Sequence, residues 1–130
     1  MPTLKSVRTK QDENTLWNTD DGGVSRSVYS VLADRHPHTF NVDDTGLTRT
    51  VEYMFTTRST LNAYLNDPER WAKRDESNAY DAEHGIITRT VVLDGNNSGS
   101  VKFNPITSTY DVTPMTQVEA NAWVTEITSP

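Results

Sequence analysis

The chain has 130 residues with 12 basic and 18 acidic side chains, a net charge of −6, and a length that fits one domain. The absence of cysteine excludes a disulfide scaffold, a Cys-ligated zinc site and a thiol nucleophile. The acidic balance argues against nucleic acid as a main partner. No apolar run reaches the ~18 residues of a membrane helix, and Met1–Ser6 lacks the apolar core of a secretory signal.

Residues 1–23 are polar, with only Leu4, Val7, Leu16 and Trp17 able to pack. They read as a polar N-terminal arm or a weak edge strand closed at Gly22-Gly23, ahead of a single α+β domain over 24–130. Val24 to Leu32, with Val28, Tyr29 and Val31, predicts a first strand. Asp34 to His38 ends it, because Pro37 has no backbone donor. Phe40 and Val42 predict a short extended segment, and Asp43-Asp44-Thr45-Gly46 a turn.

Thr48 to Thr57 is the clearest strand. Val51, Tyr53 and Phe55 fall on one face and Thr50, Glu52 and Met54 on the other, a pattern that suits a sheet covered on one side. Ser59 is the expected N-cap of a helix whose stripe is Leu61, Tyr64 and Leu65. Asn66-Asp67-Pro68 interrupts it, and Asp67 with Pro68 opens a second segment that stops at Gly85. Residues 59–84 therefore form one kinked helix or two consecutive ones.

Ile86 to Leu93 predicts a β-branched strand, Asp94 to Gly99 a polar loop, and Ser100 to Asn104 the returning hairpin arm. Thr107 to Val112 predicts another short strand. Thr116-Gln117-Val118-Glu119 is a capping box for a C-terminal helix over about 116–126, with Val118, Ala122, Trp123 and Ile127 as its apolar stripe. The fold class is α+β, a small, mainly antiparallel sheet with a kinked central helix and a C-terminal helix. The three Trp, three Phe and five Tyr are enough for one small core, with a subunit interface expected to add to it.

No motif specifies a reaction, so no residue is assigned as catalytic, cofactor-binding or metal-ligating. Asp94-Gly95-Asn96-Asn97-Ser98-Gly99-Ser100-Val101 matches the opening of a calcium loop, but its twelfth position is Pro105, which offers no bidentate carboxylate. A polar hairpin loop is the simpler reading. His36 and His38 form a His-x-His pair that needs a third ligand, such as His84 or an Asp, to hold a metal. Pro37 between them favours a plain surface turn. The acidic pairs Asp12-Glu13, Asp20-Asp21 and Asp43-Asp44 lie in turn-like stretches, where solvation rather than acid–base chemistry is the default. Trp71, Tyr80 and Trp123 read as core or interface residues.

Two resemblances bear on function. Val51-Glu52-Tyr53-Met54-Phe55, followed by Ser59 to Pro68, resembles the β-α-β half of the ferredoxin-like antibiotic-monooxygenase (dimeric α/β-barrel) domains. That resemblance implies a dimeric enzyme or a protein that binds haem or aromatic ligands. The whole chain, with 39 Thr, Ser and Asn residues, no cysteine and many short strands, is similar in character to small virion proteins of tailed bacteriophages. This second resemblance implies a non-enzymatic, oligomeric structural protein of the virion: a capsid decoration, neck, tail or baseplate component. Its partners would be itself and other virion proteins, it would need no cofactor, and its termini would reach those partners.

Overall fold

The computed structural model describes residues 2–15, 35–69, 79–104, 106–107 and 109–126. Its elements are β1 (Thr3–Thr9), β2 (His38–Thr45), β3 (Thr48–Phe55), α1 (Arg58–Leu65), β4 (Ile87–Leu93), β5 (Gly99–Asn104), β6 (Thr109–Pro114) and α2 (Gln117–Glu126). The six strands of the described residues form one antiparallel sheet in the order β2-β3-β1-β4-β5-β6. The fold is α+β, as the residue pattern predicts. No helix among the described residues is long and apolar enough to cross a membrane.

The largest departure from expectation lies at the N-terminus. Residues 3–9 are neither arm nor edge: β1 runs through the interior of the sheet, paired with β3 on one side and β4 on the other. Its alternation explains how a polar segment fills that place. Leu4, Ser6 and Arg8 face one side of the sheet, and Lys5 and Val7 the other. The polar members find distant partners, since the Ser6 and Thr90 hydroxyls hydrogen-bond at 3.0 Å. The predicted strand over 24–32, together with Leu16, Trp17 and Trp71, lies outside the described residues.

Both β3 and β4 are antiparallel to β1, so they run parallel to each other with β1 between them. The β-α-β unit read from the sequence is therefore split by the N-terminal strand. Its first strand continues from a tight hairpin. β2 extends through Thr45, and the turn falls at Gly46-Leu47 rather than at Asp43–Gly46. Gly46 takes the left-handed φ of 59° that this two-residue turn requires.

The helix after β3 starts two residues earlier than expected. Thr57, extended at φ −132° and ψ 157°, is the N-cap, and its Oγ1 accepts the Thr60 N–H at 3.2 Å. Ser59 lies exposed in the first turn. Leu61, Tyr64 and Leu65 are the buried stripe, as their spacing predicts. Asn66 caps the C-terminus, so the interruption at Asn66–Pro68 is real. Residues 79–84 are helical again, and Gly85 ends them with φ 69°.

The sheet has helical cover on both faces, not one. Leu4, Phe55, Leu61, Tyr64, Leu65 and Val92 form one core under α1. Val7, Val91, Ala120 and Val124 form the other under α2. The capping box of α2 closes as predicted. The Thr116 N–H donates to Glu119 Oε1 at 3.2 Å, and the Glu119 N–H to Thr116 Oγ1 at 3.1 Å. The buried face of α2 differs from the described part of the predicted stripe, and Ile127 lies outside the described residues. Ala120 and Val124 are buried, Val118 is 80% exposed, Ala122 is exposed and Trp123 is half-buried. Arg89 helps set this rotation: its guanidinium lies 4.7 Å over the Trp123 ring, and its Nη1 donates to the Trp123 carbonyl at 2.7 Å.

Candidate functional site

The richest cluster of polar chemistry among the described residues lies where residues 35–38 enter β2, beside the end of α1. Asp67 is its centre. Its carboxylate is buried and accepts from Arg35 Nη1 at 2.7 Å, from His36 Nε2 at 2.8 Å and from the Glu69 N–H at 3.0 Å. Arg35 also donates to Glu69 Oε1 at 3.0 Å. A carboxylate only accepts, so His36 carries its proton on Nε2. Burial pushes the Asp67 carboxyl up, but the bonds from His36, Arg35 and the Glu69 amide outweigh it and hold the group below its ordinary range. Hydrogen bonds to Asp67 and Glu69 raise Arg35 in turn.

His38, one strand step on, has a different role. Its Nδ1–H donates to the His36 carbonyl at 2.8 Å. Its ring packs against Tyr64 at 4.9 Å, Phe55 at 5.0 Å and Tyr53 at 5.7 Å between centroids. The Tyr64 ring also lies 5.3 Å from Phe55. These interlocked rings fill the space between α1 and the sheet.

The His-x-His pair therefore divides its work between an ion pair and an aromatic cluster. The third histidine is elsewhere: His84 stacks on Tyr80 at 4.0 Å, and its Nδ1–H donates to the Tyr80 carbonyl at 2.8 Å. No group of three His, Asp or Glu side chains among the described residues converges on a metal position.

The calcium-like loop is folded onto itself. The Asp94 carboxylate accepts from Arg58 Nη1 at 3.0 Å, which also donates to the Asn97 carbonyl at 2.6 Å. Ser98 Oγ accepts the Asp94 N–H and donates to the Gly95 carbonyl, both at 2.8 Å. Gln117 Oε1 accepts the Gly95 N–H at 2.7 Å and ties the loop to α2. Of the acidic pairs, Asp12 and Glu13 are exposed, and Asp12 Oδ1 accepts the Asn14 N–H in a local turn. Asp43 is exposed, and Asp20-Asp21 lie outside the described residues.

A second polar layer was not anticipated. Arg8, Arg49 and Asp81 are all buried on the sheet face that Ser6 and Thr90 share. Arg8 Nε lies 3.9 Å from Asp81 Oδ2, and the Thr88 hydroxyl donates to the same oxygen at 3.4 Å. The only local hint of it was the alternation that puts Arg8 in phase with Leu4.

The exposed apolar side chains are spread over the molecule. Ile106 at the β5–β6 turn is 91% exposed, and Ile87 at the start of β4 is 52% exposed. Val42 on β2 and Leu47 at the hairpin turn are exposed as well. The chain thus combines a filled ring cluster inside with branched aliphatic side chains outside. No family model and no curated protein matches the chain.

Proposed function

We propose that the protein is a non-enzymatic structural protein, an oligomeric component of a tailed-bacteriophage virion that acts by packing against itself and other virion proteins. The observation that carries this reading is the way Tyr64, Phe55, Tyr53 and His38 occupy the space between α1 and the sheet. An enzyme of the dimeric α/β-barrel kind needs that space for its ligand. The Thr-rich strands agree with the composition of such particle proteins.

The rival reading, a ferredoxin-like dimeric enzyme or ligand-binding protein, draws on the split β-α-β unit of β3, α1 and β4. Two measurements separate them. Light scattering over a concentration series is expected to show assembly, and mass spectrometry of purified particles from the source phage to detect the chain. A monomer at every concentration that is absent from particles overturns the proposal. A clean dimer that binds haem or an aromatic ligand with micromolar affinity favours the rival.

A further inference from the structure

The two edges of the sheet are built differently. In β6 the register with β5 turns the backbone groups of Tyr110, Val112 and Pro114 outward. Asn66 Oδ1 accepts the Tyr110 N–H at 3.2 Å, and Pro114 has no N–H to offer. Of three outward positions, only Val112 keeps an amide for a neighbour. This edge is blunted.

Among the described residues β2 has neither a capped outward amide nor a proline, and its only edge charges are Asp43 and Asp44. The Phe55 N–H donates to the Pro2 carbonyl and the Lys10 N–H to the Leu47 carbonyl, so Arg49, Val51, Tyr53 and Phe55 bond toward β1. The alternate residues of β3 bond to Thr39, Asn41, Asp43 and Thr45 of β2. His38, Phe40, Val42 and Asp44 therefore turn their backbone groups outward. The strand His38–Thr45 contains no proline and no lysine. Thr39, Asn41, Val42 and Asp43 are all exposed, so neither face of the strand is roofed there.

From this contrast we propose that β2 is the self-association edge: two copies pair β2 to β2, antiparallel about a two-fold axis, and join their six-stranded sheets into one. The inference rests on the assembly reading above and names its partner as a second copy of this chain. The charges select the register. Parallel in-register pairing sets Asp43 against its own copy, as does antiparallel pairing centred on it. Two antiparallel registers keep the outward amides in phase, overlap the strand most fully and avoid this repulsion. Centred on Val42, they place Val42 against Val42, Asp43 against Asn41 and Asp44 against Phe40. Centred on Asn41, they place Val42 against Phe40, Asp43 against Thr39 and Asp44 against His38.

The absence of cysteine makes the test direct. Residues directly opposite in antiparallel pairs have Cα atoms about 4.5–5.5 Å apart, inside the roughly 4.4–6.8 Å window of a disulfide. Single variants Val42→Cys, Asn41→Cys and, on the β6 edge, Thr113→Cys are oxidised at equal concentration after circular dichroism shows the same fold. Val42→Cys or Asn41→Cys is expected to give a covalent dimer at least about tenfold faster than Thr113→Cys, whichever residue lies on the axis. Val42→Lys is expected to lower the mass seen by light scattering. Equal cross-linking at all three positions, with the native chain still assembled, overturns the β2 pairing and leaves the assembly reading standing. A native chain that is monomeric in solution yet present in particles also overturns the β2 pairing alone.

Discussion

His36 donates from Nε2 to Asp67 Oδ2 at 2.8 Å, joining the segment before β2 to the end of α1. With Arg35 and the Glu69 amide it holds the Asp67 carboxyl below its ordinary 3.8, against the upward push of burial. Asp67→Ala leaves these donors without their acceptor and is expected to cost about 1–3 kcal/mol at pH 7. A carboxyl whose folded pKa is depressed adds stability above its unfolded pKa. That contribution fades as the pH falls below about 4 and through the lower folded value. Urea denaturation of both proteins at pH 7, 4 and 3 checks this. A gap that stays constant across the series contradicts it.

The rotation of α2 makes a contrast between two valines on one helix. Val124 is fully buried against Val7 and Val91, whereas Val118 is 80% exposed. Val124→Ala is expected to cost about 1–3 kcal/mol, and Val118→Ala to stay within about 0.5 kcal/mol. Chemical denaturation of the two variants side by side gives the answer. Equal losses contradict the placement of the helix.

Gly99 begins β5 with no room for a side chain. A Cβ there collides with the Thr113 carbonyl oxygen and lies 2.7 Å from Val112 Cγ1. The Thr113 carbonyl belongs to the backbone of the paired strand β6, which cannot swing aside as a flexible side chain does. Gly99→Ala is expected to destabilise by about 1–3 kcal/mol. Gly46 has the left-handed φ of 59° but nothing within 4 Å of its Cβ position, so Gly46→Asn is expected to cost much less. Thermal melts of both variants test the ordering.

The reciprocal bonds between Thr116 and Glu119 satisfy one free amide each at the start of α2. Thr116→Ala is expected to cost about 1 kcal/mol, and the double variant with Glu119→Ala less than the sum of the two single losses. A double-mutant cycle by urea denaturation measures that coupling. Strict additivity removes the capping box as a unit.

What was legible in the residues was local. The alternation Val51, Tyr53, Phe55 marks β3, the spacing Leu61, Tyr64, Leu65 marks the buried stripe of α1, and Gly85 marks a helix end. Each of these signals lies within a few residues of the structure it specifies. The cap at Thr57 was one choice among several adjacent hydroxyl residues, all able to accept a first-turn amide. The pairing of Asp67 with His36 was not legible, because the partners are 31 residues apart and each also suits a solvated turn.

The sequence by itself determined the α+β class, most strand and helix positions after residue 38, and the capping box of α2, because backbone propensity and side-chain period act over short range. Tertiary structure decided the rest. It placed β1 in the middle of the sheet, since Ser6 becomes buriable only when Thr90, 84 residues away, meets its hydroxyl. It turned α2 onto Ala120 and Val124, since the sheet offers Val7 and Val91 as the apolar ground and Arg89 holds Trp123 at the margin. A polar residue reads as exposed until the fold supplies its partner, and strand pairing over long separations brings that partner.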